Sequence, residues 1–270
     1  MTGVVLITRE TPFGHHMAAR MAAALAGGDS PLLAVMVLSG PPAPAPRQSS
    51  LVRALRLNTF KRLVSRQARQ SYRLWHLQQE ANAEFARGAG PVPDWPAEVE
   101  RHHIPEDQIN AAGTAAWLRA RAPRLLAVAG SPILGAALLS VPCDGTLNMH
   151  SSLLPRYRGT RAEFWQVHNG DLDCAGITIH FVDTSVDSGD ILRRHPLNPA
   201  PGDSPWLMRA RNQLGGLAVY PETVCAVLEG RAARQPQPPV RERAYRYADI
   251  TPEATRTVLR VLRQARQRPA

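Results

Sequence analysis

Short, almost wholly apolar runs at residues 4–8, 32–38 and 125–129 recur along this chain, with segments of helical pattern between them. Runs of this length that lack polar alternation suit strands buried on both faces. Strands alternating with helices predict an α/β fold with a doubly wound, mostly parallel sheet. Residues 146–149 and 99–104 read as further strands, and 175–182 and 191–196 as a hairpin turning at Asp187, Ser188, Gly189 and Asp190. Helices are expected over 16–25, 111–121, 134–140 and 161–169. In such a sheet, ligands sit beyond the carboxyl ends of the strands, where the strand order reverses. Asn148 and His150 fall at such an end.

The catalytic domain is expected to span residues 1–200, and its 44% hydrophobic content over 270 residues in total is enough for a packed core. A helical insertion interrupts it at about 50–88, with arginines interleaved among Leu55, Phe60, Leu63, Val64, Tyr72, Trp75, Leu77 and Phe85. That pattern suits an amphipathic helix of about ten turns over 51–87. Residues 201–270 read as a C-terminal extension, helical over 204–229 with a break at Pro221, then a Pro-rich and Arg-rich tail with a final helix over 252–266.

The net charge of +10 points toward acidic partners, but Lys61 is the only lysine among 32 basic residues, so compositional bias accounts for part of it. Cys143, Cys174 and Cys225 are far apart and unpaired by motif, which argues against a disulfide framework. No apolar run reaches the ~18 residues of a spanning helix and no signal peptide pattern opens the chain, so a cytoplasmic location without membrane attachment is expected. The loop after the first strand lacks GxGxxG, and no GxxxxGK[ST] occurs, which disfavours a nucleotide held there.

Asn148 and His150, one residue apart on an extended segment, point to the same side. An amide and an imidazole aimed at one position suit the polarisation of a carbonyl. Asp187 could orient that imidazole and share in proton movement. Alternatives stand beside this: Ser151 or Ser152 as a nucleophile, without a GxSxG elbow, or His150, His180 and Asp187 as metal ligands, without HExxH spacing. No metal is expected.

The segment NMHSSLLPRYRG, followed about thirty residues later by GITIHFVDTSVDSGDIL, resembles the signature of the folate-dependent formyltransferases. That family includes glycinamide ribonucleotide, methionyl-tRNA and sugar N-formyltransferases. The resemblance covers residues 125–195 well, the opening strand and helix loosely, and the insertion and tail hardly at all. It implies a Rossmann-like formyltransferase fold, N10-formyltetrahydrofolate as formyl donor, and Asn148, His150 and Asp187 as catalytic residues. It also implies a donor slot at Ser131, Pro132, Ile133 and Leu134, facing Val182, Asp183 and Asp187. The acceptor side is expected at Arg9, Arg158, Phe164 and Trp165. The PheTrp pair resembles the branch acting on amino sugars or other small amines. The arginine-rich 47–73 stretch keeps a tRNA acceptor open, and a non-catalytic folate-binding relative is a further alternative. A homodimer is compatible with all of these.

Overall fold

The computed structural model describes residues 2–40, 66–239 and 242–267. Its sheet has seven strands in the order β3-β2-β1-β4-β5-β6-β7. They are β1 (Val4–Arg9), β2 (Leu32–Ser39), β3 (Glu100–Pro105), β4 (Leu125–Val128), β5 (Gly145–His150), β6 (Gly176–Phe181) and β7 (Ile191–Pro196). Pairings from β3 through β5 are parallel, and β6 and β7 pair antiparallel. The expected doubly wound sheet is present. The direction of strand addition reverses between β1 and β4, so the carboxyl ends of β1, β4 and β5 open onto one crevice.

The apolar runs explain this arrangement. Along β1, Val4 and Leu6 face one core while Val5 and Ile7 face another, all without solvent exposure. The first face is covered by α1 (Pro12–Leu25), α2 (Arg66–Ala89) and α6 (Pro205–Leu228). The second is covered by α3 (Ala112–Arg121) and α4 (Ala136–Leu139). A third cluster joins α5 (Ala162–Asn169) and α7 (Pro252–Gln267) to α6 and to Leu77 of α2.

Several sequence expectations are corrected. Helix α1 starts at Pro12, not at residue 16, because the Thr11 hydroxyl caps the Gly14 N–H at 3.1 Å and proline suits the first helical turn. Gly14 serves packing: a Cβ there would lie 2.1 Å from the Arg9 carbonyl oxygen. Helix α6 runs through Pro221 without the expected break. Tyr220 and Val224, both fully buried on the first face, hold the segments on either side of that proline against one core.

In the insertion, the helix expected over 51–87 is described from Arg66 onward, and residues 51–65 lie outside the described residues. Leu77, Ala81 and Phe85 are buried as an apolar stripe should be. Tyr72 and Trp75, expected on that stripe, are instead stacked on each other at the surface. The close approach of α2 to α6 depends on Gly88, where a Cβ would meet Leu214 at 2.6 Å. Helix α6 lies beyond the division expected at residue 200, yet Ala210, Leu217, Val219 and Tyr220 are part of the principal core. The segment expected as a tail is tied to the sheet end by backbone bridges from Ile191 to Gln235 and from Gly159 to Tyr245.

Candidate active site

Asn148 and His150 alternate with Met149 along β5, and Met149 points to the opposite face, against Gly216 of α6. A side-chain hydroxyl sets the end of this strand. The fully buried Tyr220 accepts from the Val128 N–H at 2.7 Å and donates to the Leu147 carbonyl at 2.9 Å. The phenol therefore bridges the end of β4 to β5 immediately before Asn148. Burial pushes its ionisation far above the ordinary phenol range, so it stays a donor.

The antiparallel pairing of β6 places His180 directly opposite Asn148. His180 Nδ1 lies 2.8 Å from the Phe181 carbonyl, so that nitrogen donates. Its Nε2 is 3.3 Å from Asn148 Nδ2 and 3.5 Å from Asp187 Oδ1. With Nε2 as acceptor, the carboxamide of Asn148 is turned with its NH2 toward the ring.

Asp187 stands in the turn between β6 and β7 with φ at 50°, a left-handed conformation uncommon outside glycine. Its Oδ2 accepts the Gly159 N–H at 2.7 Å and lies 3.4 Å from His150 Nδ1. Burial pushes the carboxyl up, but the His150 imidazole beside it and the Gly159 N–H outweigh it and hold it well below the usual carboxylate range. His150 Nε2 lies 2.9 Å from the Tyr157 carbonyl. Both ring nitrogens of His150 thus face an acceptor. The Nε2 contact is tight. The 3.4 Å contact to Asp187 is loose, so the Nδ1 edge can be shared with a third group.

Local strain gathers here. Tyr157, Arg161 and Asp187 are three of the four non-glycine residues with positive φ among the described residues. Tyr157 uses that conformation to present its carbonyl to His150. The loop between them is set by Ser152, whose hydroxyl donates to the Arg156 carbonyl at 2.7 Å, and by Thr178, which donates to the Ser152 carbonyl at 2.6 Å. Ser152 is fully buried and committed, which removes it as a nucleophile. No group of three or more His, Cys, Asp or Glu side chains placed to hold a metal ion occurs among the described residues.

The expected donor slot lies at the same sheet end. Asn110 pins its first loop, donating to the Ile133 carbonyl at 2.9 Å and accepting from the Gly135 N–H at 2.7 Å. Leu134 is buried in the second core, whereas Ile133 is 72% exposed, an apolar side chain left without a cover. Ser131 donates to the Pro132 carbonyl at 2.9 Å. Across from this loop, the Val182 N–H reaches the Thr146 carbonyl at 2.8 Å, and Asp183 accepts from the Ser185 N–H and the Ser188 hydroxyl. Gly189 permits the turn, since a Cβ would lie 2.1 Å from the Phe181 carbonyl oxygen. Gln237 clasps the turn, donating to the Asp187 carbonyl at 3.1 Å and the Gly189 carbonyl at 2.7 Å.

The residues expected on the acceptor side separate. Arg158 donates to the Val186 carbonyl at 2.7 Å and so fixes the Asp187 turn. Arg9 forms a two-pronged ion pair with Glu106 at 2.6 and 2.7 Å. Phe164 is buried and lines a cavity with Arg161 and Tyr247, whereas Trp165 stacks on Tyr245 at 4.6 Å and lies outside it. Sequence reasoning missed the positions of Tyr157, Arg161, Tyr220, Gln237 and Tyr247, and it named His180 as a candidate metal ligand rather than as a partner of Asn148. His180 carried a usable signal for that pairing, an alternating strand position that antiparallel pairing sets opposite Asn148.

Residues 94–224 match the formyl transferase family. Among curated relatives, the methionyl-tRNA formyltransferase of Geobacter metallireducens is 34% identical over 157 residues, covering 56% of this chain and 50% of that protein. The methionyl-tRNA formyltransferase of Methylacidiphilum infernorum is 34% identical over 142 residues, 51% of this chain and 44% of its own length. The chain thus spans about half the length of the curated relatives it matches. Two solved structures share the fold. Glycinamide ribonucleotide transformylase 1 from Symbiobacterium toebii has a TM-score of 0.57 at 19% identity, covering 88% of this chain and 95% of that one. A sugar N-formyltransferase from Shewanella sp FDAARGOS_354 has a TM-score of 0.58 at 14% identity, covering 96% and 87%.

Proposed function

We propose, on the premise that this chain belongs through residues 94–224 to the formyl transferase family, that it transfers a formyl group from N10-formyltetrahydrofolate to a primary amine of a small molecule. The observation that carries this reading is the convergence of Asn148, His150 and Asp187 at the carboxyl end of β5, with Asp187 Oδ2 3.4 Å from His150 Nδ1. Amino sugars and other compact amines are the proposed acceptors.

The residues around the crevice fit the folate. The exposed apolar side chain of Ile133 offers a flat ring a wall to pack on, and Ser131, Pro132, Leu134, Val182 and Asp183 would complete its seat. When bound, the folate supplies a formyl carbon open to attack by an amine. Asn148, its carboxamide held by His180, and the Nδ1–H edge of His150 supply hydrogen bonds to the negative charge that develops on the formyl oxygen. Asp187, held as a carboxylate, keeps the imidazole paired and relays the proton that leaves the amine; that proton ends on the donor nitrogen, which is released as its bond to the formyl carbon breaks. Such preorganised donors act without the cost of reorienting water.

The test is turnover. Purified protein with N10-formyltetrahydrofolate and a panel of amines releases tetrahydrofolate only when an accepted amine is present, and the product amine carries the formyl group. Unchanged turnover in His150→Ala contradicts the mechanism.

A tRNA acceptor is a second reading, supported by the 34% identity to proteins named methionyl-tRNA formyltransferase. It requires initiator tRNA to bind with a steep salt dependence, because arginines that neutralise phosphates release counterions. Formylation of charged tRNA in preference to every small amine tested would favour it.

A further inference from the structure

A cavity of about 240 Å³ lies between α5, the start of α6 and the turn at Tyr247–Asp249. Arg161, Glu163, Phe164, Trp206, Arg209 and Tyr247 line it. The formyl chemistry described above makes no use of it.

Its charges do not cancel. Glu163, 1% exposed, accepts from Arg209 through Nε at 3.2 Å and Nη2 at 3.0 Å. Burial pushes the Glu163 carboxyl up, but the Arg209 guanidinium outweighs that and holds it below its ordinary range, so the pair is ionised and neutral overall. Arg9, the nearest further cation, is likewise matched by Glu106. Arg161 remains. It is partly buried, and among the described residues no carboxylate lies within ion-pairing distance of it. Its Cζ sits 5.7 Å from the centre of the Tyr247 ring, and that ring is exposed. Burial and the neighbouring Arg209 both oppose its charge. The chain also holds Arg161 at φ 60°, a backbone state glycine would take without strain. Two independent costs are therefore met to keep a guanidinium at this wall.

The cavity adjoins the reacting groups. Ser151, next to His150 in the chain, is near enough to Glu163 of the cavity wall to help hold its carboxyl below the ordinary range. Gly159, whose N–H holds Asp187, is two residues from Arg161, a stretch of chain spanning at most about 7 Å. A compact molecule anchored at Arg161 thus lies alongside the strand end that carries Asn148 and His150.

We propose that this cavity binds an oxyanion, phosphate or carboxylate, carried by the acceptor amine, with Arg161 as its cation and the Tyr247 ring packing against the adjoining carbon frame. Arg is suited to the task because its planar fork matches both anions. The identification of the ligand as the acceptor rests on the transferase reading; the anion site itself does not.

The experiment has two arms. In the first, pyrophosphate and succinate are titrated calorimetrically into the wild-type protein, Arg161→Ala, Arg161→Gly and His150→Ala. At least one anion binds wild type, and loss of the guanidinium weakens it by about tenfold to a hundredfold, the worth of a charge-assisted hydrogen bond. The Gly variant, which suits the left-handed backbone, guards against misfolding of the Ala variant. His150→Ala binds as wild type does. In the second arm, matched acceptors are compared: an amino-sugar phosphate against the free amino sugar, and an amino acid against its amide. The phosphate or the carboxylate form has the higher kcat/KM, and Arg161→Gly removes the preference through KM.

Failure of both anions to bind wild type, or equal binding by the Arg161 variants, overturns the inference. If it fails while a neutral amine is still formylated in a His150-dependent way, the transferase reading stands. If anion binding depends on Arg161 but no amine releases tetrahydrofolate, the anion site stands and the transferase reading falls.

Discussion

Within residues 147–165, the first half and the second half are held by different means. From Asn148 to Gly159 the polar groups are met inside that loop or from the adjoining strand β6 and the turn that follows it. The Tyr157 carbonyl takes His150, the Arg156 carbonyl takes Ser152, and the Gly159 N–H meets the Asp187 turn. From Thr160 to Trp165 the partners come from far along the chain: Arg209 pairs with Glu163, Tyr247 lies under Arg161, and Tyr245 stacks on Trp165 while its carbonyl accepts the Thr160 N–H. A reaction centre needs fixed distances, and partners drawn from one sheet end fix them. A specificity pocket has to vary between relatives, and side chains from separate elements can be exchanged without disturbing the strand end.

That contrast can be broken most sharply at the catalytic half. His150→Ala and Asp187→Ala should each lower kcat by about a hundredfold or more, the range for loss of a positioned acid, base or oxyanion donor, with the fold retained by circular dichroism. A larger loss from Arg161→Gly than from His150→Ala would reverse the assignment of the two halves.

Tyr220→Phe comes next. It leaves the Val128 N–H and the Leu147 carbonyl without their shared partner, at about 1–3 kcal/mol for each buried group. Chemical denaturation reads the loss. Because Leu147 precedes Asn148, kcat should fall more than KM rises. A variant as stable and as active as wild type would mean that the bridge does not set the strand end.

Asp187→Asn gives a pH signature. The folded carboxyl is held below its unfolded value, so ionised Asp187 contributes stability that is complete above about pH 4, the ordinary aspartate range, and is lost as pH falls through the lower folded value. The melting-temperature gap between wild type and Asp187→Asn should be widest near neutrality and close in acid. A gap that widens in acid would contradict the charge-pairing of Asp187.

The smallest effect is expected at Arg9. Its pair with Glu106 is partly exposed, and such pairs contribute about 0.2–1 kcal/mol. Arg9→Ala should shift stability by no more than that and leave the oxyanion preference in place. Loss of that preference would move the acceptor site toward β1.

The same contrast describes what the sequence made legible. The strands β1, β2 and β4 were readable because runs this nearly apolar have few alternatives to a doubly buried strand. Asn148 and His150 were readable because strand alternation places them together. Asp187 needed the family resemblance, since a lone aspartate in a SerGlyAsp turn reads equally as a turn former. The continuity of α6 through Pro221 was not readable, because core packing around Tyr220 and Val224 overrides the local cost of proline. Nor was the path of residues 231–247. It has no periodicity, and isolated backbone bridges at Gln235 and Tyr245 hold it against the site. Arg161 looked like one arginine among many, and its significance depends on which of its neighbours are already paired.

The central claim is that Asn148, His150 and Asp187 act together on a formyl group. Single-turnover measurement of tetrahydrofolate release from N10-formyltetrahydrofolate in the presence of an accepted amine tests it most directly, with wild type set against Asn148→Ala, His150→Ala, Asp187→Asn and the triple variant. The account predicts that each single variant loses nearly as much rate as the triple, because the groups serve one transition state. Independent, additive losses, or turnover that persists in the triple variant, would contradict it.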